Sequence, residues 1–166
     1  TCVKLKQIGF KIHDKNIIDG IKNTKNPGRM ELISNRPMIL LDGAHNLNAI
    51  KELKKSLKND FRFNRLILVI GILKDKNVIE MLEEIVPIAD IIVTTKSKNP
   101  RSISPYSLKK EIEYIDYKKS VVVMDNIEKA VLFSKQNAGI NDMICFCGSL
   151  FIIGEVRAFF KQISLF

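Results

Sequence analysis

Apolar positions along this chain follow two rhythms. Short, nearly continuous aliphatic runs cover Met30 to Ser34, Met38 to Leu41, Leu66 to Ile72, Ile91 to Thr95, Ser120 to Met124 and Met143 to Cys147, the signature of strands buried on both faces. Between them apolar residues recur every three or four positions, which predicts helices at Leu47 to Leu57, Asn77 to Val86, Pro105 to Ile115, Ile127 to Lys135 and Ser149 to Phe160. Strand and helix alternate almost strictly. That order predicts an α/β fold with a mostly parallel six-stranded sheet, covered on both faces by right-handed crossovers. No internal repeat or low-complexity tract interrupts it.

The first 26 residues differ. They read as two short helical pieces around Gly9, stopping near Asn26-Pro27-Gly28. Ile17, Ile18 and Ile21 form a helical stripe that a lone terminal helix has to bury against a partner. The chain opens on Thr1, so residues 1–26 are expected to be the terminal helices and linker of a preceding domain, with residues 27–166 forming the α/β unit.

Composition narrows the function classes. With 166 residues, 46% of them hydrophobic, the α/β part can bury one ordinary core. The net charge of +9 comes from lysines scattered over most elements, without a basic block or interleaved aromatics, which argues against nucleic acid or a membrane surface and leaves attraction of anionic small substrates. Cys2, Cys145 and Cys147 are odd in number and lack zinc-like spacing, so buried, reduced thiols are expected. The longest apolar run, Leu66 to Leu73, is too short to span a bilayer, and no signal-peptide pattern opens the chain. Together these lead to the expectation of a cytoplasmic protein.

Candidate chemistry gathers where strands end. Asp42-Gly43-Ala44-His45-Asn46 follows the second run, with Asn46 placed to cap the next helix. Gly71 to Lys76 follows the third, Thr94-Thr95 and Pro100-Arg101 the fourth, and Gly148-Ser149-Leu150 the last. In a parallel sheet these ends share the carboxyl edge, where ligands bind. Asp42 suits ribose hydroxyls, Ser149 at a helix start suits a carboxylate or phosphate, and Lys74 offers a point charge. Plainer readings stand beside these: Asp42-Gly43 as a turn, Ser149 as an N-cap, Lys74 to Lys76 as a solvated loop, His13 as a surface residue, and Arg29 as either a turn charge or a phosphate ligand. No Gly-Lys-Ser or Gly-Lys-Thr phosphate loop occurs, and no His and Cys pair has metal-ligand spacing.

Taken in order, Pro27-Gly28-Arg29 with Glu31, Asp42 to Asn46, Gly71 to Lys76, Pro100-Arg101, Gly148-Ser149-Leu150 and Gly154-Glu155-Val156-Arg157 resemble the C-terminal part of folylpolyglutamate synthase/dihydrofolate synthase, in the Mur ligase superfamily. The resemblance covers essentially the whole chain. One departure is Asn26, where the family often has Trp.

The resemblance implies a Rossmann-like C-terminal domain that packs on its own ATPase domain and closes over the nucleotide, with the phosphate loop and Mg2+ ligands in that other domain. It implies a monomer that uses ATP to phosphorylate a folate or dihydropteroate carboxylate, after which L-glutamate attacks the acyl phosphate. By motif position, Arg29 and Asp42 are expected at ATP, His45 and Ser149 at the glutamate side with His45 also catalytic, and Lys74 at a glutamate carboxylate. No metal ligand is assigned within this chain. The alternatives are another Mur-type amino-acid ligase and a non-catalytic nucleotide-binding module.

Overall fold

In the computed structural model, residues 1–116 and 118–163 are described. Two helices, α1 (Cys2–Gln7) and α2 (Asp14–Asn23), precede six strands: β1 (Glu31–Asn35), β2 (Met38–Leu41), β3 (Leu66–Ile70), β4 (Ile91–Thr94), β5 (Ser120–Val123) and β6 (Met143–Cys147). The connecting helices are α3 (Leu47–Asn59), α4 (Val78–Ile85), α5 (Pro105–Ile115), α6 (Ile127–Asn137) and α7 (Leu150–Ile163), with a 3₁₀ turn at Val86–Ile88 after α4. Every predicted strand and helix of the α/β unit is present. The predicted strands over Leu66 to Ile72, Ile91 to Thr95 and Ser120 to Met124 each end one or two residues earlier, because the chain turns outward to build the loops.

Strand order is β1-β2-β6-β3-β4-β5. All neighbours are parallel except β1 and β2. Those two are joined through Arg36-Pro37 alone, and so short a connection can return the chain only antiparallel. Successive residues of a central strand face opposite layers, and both layers are apolar. Leu66, Leu68 and Ile70 pack with Leu53 and Leu57 of α3, Leu82 of α4 and Leu108 of α5. Ile67 and Val69 pack on the other side with Val131 of α6 and Ile152 and Val156 of α7. All five residues of β3 and all five of β6 are buried, which is why their sequences show no alternation.

This layering creates the crevice. The chains leaving β2 and β3 enter α3 and α4 on one face, while the chain leaving β6, which lies between them, enters α7 on the other. Loops that part to opposite faces open a gap at the carboxyl edge, the usual ligand position in open α/β sheets.

Three expectations meet the structure elsewhere. No residue of α1 or α2 is buried, and Ile18 and Ile21 of the predicted stripe are exposed. His13 is exposed, as a surface residue should be. Cys145 and Cys147 are buried free thiols, but Cys2 is exposed, because α1 buries none of its positions. No helix among the described residues is long and apolar enough to cross a membrane.

Candidate functional site

Four loops build the carboxyl edge, and backbone contacts lock them. The turn at Gly28-Arg29-Met30 docks on the loop after β2: Gly43 N donates to Gly28 O at 2.7 Å, and Arg29 Nη1 donates to Gly43 O at 3.0 Å. Gly28 and Met30 both have positive φ, 73° and 46°, and the Asp42 carboxylate holds this bend by accepting from Met30 N at 2.8 Å. Its other oxygen accepts from Ala44 N, also at 2.8 Å. Asp42 is therefore a loop organiser as well as a candidate ribose ligand. Both of its oxygens serve the backbone, each with a lone pair to spare.

Glu31 and Arg157 fix the same turn from the opposite side. Glu31 Oε2 accepts from Gly28 N at 2.7 Å, and the Arg157 guanidinium pairs with the Glu31 carboxylate at 2.9 Å. Glu155 accepts from Lys98 N at 2.8 Å, tying α7 to the loop after β4. The Gly154 to Arg157 motif thus anchors loops to α7.

Between β2, β3 and β6 the edge is packed backbone against backbone. Gly148 has φ +99°, and a Cβ there would lie 2.5 Å from Gly71 O. Gly148 N also donates to Ala44 O at 2.9 Å, so the loops after β2 and β6 meet directly. A side chain at this position would push the loops apart.

Beyond these contacts lies a cleft of about 190 Å³ lined by His45, Asp75, Lys76, Arg101, Ser149 and the apolar residues Leu73, Leu150 and Phe151. Ser149 is 2% exposed and caps α7, its Oγ accepting from Phe151 N at 3.2 Å. The hydroxyl proton remains free to donate into the cleft. His45 Nδ1 lies 2.7 Å from Gly43 O. A carbonyl only accepts, so Nδ1 carries the proton and a neutral His45 presents its Nε2 lone pair.

Charge in the cleft comes from three side chains. Lys76 Nζ lies 3.0 Å from Asp75 Oδ2, and Arg101 Nη1 lies 3.7 Å from Asp75 Oδ1. The hydrogen bond from Lys76 holds the Asp75 carboxyl below its ordinary range. The Arg101 guanidinium also sits 6.0 Å from the centroid of the Phe151 ring. Two cations and one carboxylate leave a net positive pocket with a hydroxyl and an imidazole at its wall. That set matches a small amino acid carrying more carboxylate than ammonium.

The predicted residues do not all converge. His45 and Ser149 line the cleft; Arg29 and Asp42 lie behind it in the Gly28 to Ala44 turn system. Lys74 is exposed and does not line it, since its backbone N donates to Arg101 O while Leu73 packs inward. Lys76 and Arg101 supply the cations. Sequence alone offered no signal for this, because Lys74 and Asp75 form a turn in which the alternation of an extended strand does not apply.

Residues 28–150 match the family model described as Mur ligase, glutamate ligase domain. The chain belongs to this family. Among curated relatives, it is 28% identical over 146 residues to a dihydrofolate synthase/folylpolyglutamate synthase of Bacillus subtilis, covering 88% of this chain and 33% of that protein. The chain spans about a third of the length of the curated relatives it matches. Escherichia coli FolC, solved with DHPP and ADP, superposes with a TM-score of 0.88 at 24% identity, over 96% of this chain and 37% of that one. A bifunctional folylpolyglutamate synthase/dihydrofolate synthase solved with Mn, AMPPNP and L-glutamate superposes with a TM-score of 0.81 at 24% identity, over 95% and 37%. These likenesses establish the glutamate ligase domain fold.

Proposed function

We propose that this chain is the C-terminal portion of an ATP-dependent ligase that adds L-glutamate to folate or dihydropteroate through an acyl phosphate. The observation that carries the proposal is the cleft in which Lys76, Arg101, Ser149 and His45 face one small, net positive space in a glutamate ligase domain. Support also comes from the curated relatives, which bear that name, and from a similar solved protein that holds L-glutamate.

L-glutamate brings two carboxylates and one ammonium. In this reading Lys76 and Arg101 take the carboxylates, Arg101 as a planar fork. Ser149 donates its hydroxyl proton to a carboxylate oxygen. The amine must lose a proton before it attacks, and the neutral His45 accepts that proton at Nε2 while Gly43 O keeps the ring in the right tautomer. The amine nitrogen then bonds to the acyl carbon, phosphate leaves with the electron pair of the broken C–O bond, and the second proton of that nitrogen passes to the departing phosphate.

Arg29 fits a nucleotide phosphate, because among the described residues its guanidinium makes one contact, to Gly43 O, and further donors remain. Asp42 fits a ribose hydroxyl through its spare lone pairs. Mg2+ is another matter. No group of three or more His, Cys, Asp or Glu among the described residues could hold a metal. In this reading the metal ligands and phosphate loop lie elsewhere in a longer cytoplasmic, monomeric protein. Residues 1–26 end its ATPase domain, and residues 27–166 close on that domain. The exposed apolar residues of α1 and α2 support that division.

The test is ADP release by the complete protein with dihydropteroate or tetrahydrofolate, with and without L-glutamate. Glutamate-dependent release is expected with at least one pterin. No release with either would remove the folate assignment and direct the test to muramyl acceptors.

A further inference from the structure

The amino edge of the sheet, opposite the cleft, carries a second built feature. Three connections meet there: the β1–β2 turn, the loop between α3 and β3, and the loop between α6 and β6. Their backbones are laced together. Asn64 N donates to Asn141 O at 2.9 Å, Met38 N to Asp142 O at 3.1 Å, and Met143 N to Arg65 O at 2.9 Å.

These connections line an open surface basin of about 400 Å³, with Arg36 and Arg62 exposed on its wall. Its polar wall holds Arg36, Arg62, Asn35, Asn64 and Asn141, with no carboxylate among the lining residues. Asp142, next in sequence to Asn141, is already engaged by Arg65 Nε at 3.0 Å, Arg65 Nη2 at 2.6 Å and Gly139 N at 2.8 Å. Asp60, two residues before Arg62, does not line the basin. Among the described residues the Arg36 side chain makes no hydrogen bond or ion pair. Arg62 spends Nη1 on the carbonyls of Phe61 and Asn59, at 3.0 and 3.4 Å, and keeps its other donors. The rest of the wall is apolar, from Met38, Phe63 and Ile140, the last 61% exposed.

We propose that the Arg36–Arg62 basin is a binding site for a phosphomonoester, distinct from the carboxyl-edge cleft, in which the two guanidinium groups take the phosphate dianion and Phe63, Met38 and Ile140 take its organic group. Two unneutralised forks call for a dianion, since a monocarboxylate answers only one of them. The three asparagine amides supply further donors. β6 runs from this basin to the cleft, and its four rises of ~3.3 Å put roughly 13 Å of strand between the two edges. Both can therefore be filled at once.

The test is calorimetric titration of the complete protein with phenyl phosphate, with ATP at saturation so that nucleotide subsites are filled. Binding is expected to survive ATP, to weaken at least tenfold in Arg36→Ala and in Arg62→Ala, and to weaken less in Arg36→Lys, which retains charge without the fork. Benzoate and inorganic phosphate should each bind more weakly than phenyl phosphate. Absence of binding, loss on ATP addition, or indifference to all three substitutions would overturn the site. Equal affinity for benzoate would overturn the dianion assignment, and equal affinity for inorganic phosphate would overturn the organic-ester assignment.

Discussion

Asp42 is where a binding role and a folding role coincide, and replacing it separates them. In Asp42→Ala two backbone donors lose a charged acceptor, Ala44 N and Met30 N, each at 2.8 Å. Ala44 is 0% exposed, so its N–H is left without water, at a cost of about 1.5–3 kcal/mol for a hydrogen bond to a charged group. Met30 is 37% exposed, so water takes over much of that bond and the loss is about 0.5–1 kcal/mol. The sum is about 2–4 kcal/mol. For a chain of this size it lowers the melting midpoint by about 4–16 °C.

Urea unfolding without nucleotide measures this directly, because no ligand contribution enters. Asp42→Asn should fall between wild type and Asp42→Ala: it keeps one acceptor but sets an amide NH2 against the second backbone N–H. A loss below about 1 kcal/mol for Asp42→Ala, or an Asn variant as stable as wild type, would refute the claim that this carboxylate holds the Gly28 to Ala44 bend. If the loss is found, the weaker ATP binding expected of Asp42→Ala has a structural component, and ATP affinities are best compared below the midpoint of both proteins.

Other expectations follow from the same geometry. Gly148→Ala places a Cβ 2.5 Å from Gly71 O at φ +99°, so a loss above about 2 kcal/mol in denaturant unfolding is expected, from left-handed strain plus a backbone clash. In the complete protein, Lys76→Ala and Arg101→Ala should each raise the KM for L-glutamate by tenfold or more, against less than about threefold for Lys74→Ala; steady-state kinetics over a glutamate series checks this. Asp142 is held below the ordinary carboxylate range, chiefly by its hydrogen bond from Arg65. Its folded pKa lies below its unfolded value, so its stabilisation is present above the unfolded value, about pH 3.9, and is lost as pH falls toward the folded one. Urea unfolding of wild type and Asp142→Asn at a series of acid pH values should show the slope in wild type and a flatter profile in the variant.

The fold was legible because its signals are local and redundant. The strands were readable as continuous apolar runs since β3 and β6 are covered on both faces, and Asn46 announced α3 by the cap it makes, accepting from Ala49 N at 2.9 Å. The parallel order of five strands followed from helices long enough to cross over, and the one antiparallel pair from a connection too short for anything else. What sequence could not rank was which member of a short loop faces inward. Lys74 and Lys76 are chemically interchangeable in a string of letters. Their roles are decided by the bridge between Leu73 and Ser102 and by the bond from Lys76 N to Leu73 O at 3.2 Å, which turns the chain.

The same limit explains Asp42 and Ser149. In the sequence each had a plain structural reading and a ligand reading set side by side as alternatives, and both structural readings are present in the fold. A carboxylate oxygen has two lone pairs and a hydroxyl has a donor besides its acceptors, so capping a helix or bracing a turn consumes only part of either group. The structural bonds fix where the remaining capacity points. Preorganisation of this kind lets a site bind without first ordering its own side chains. Ser149→Ala measures both halves: loss of the cap should cost about 1 kcal/mol in stability, while loss of the donor should raise the glutamate KM in the complete protein. A stability loss with no change in KM would leave Ser149 a cap alone and take it out of the glutamate site.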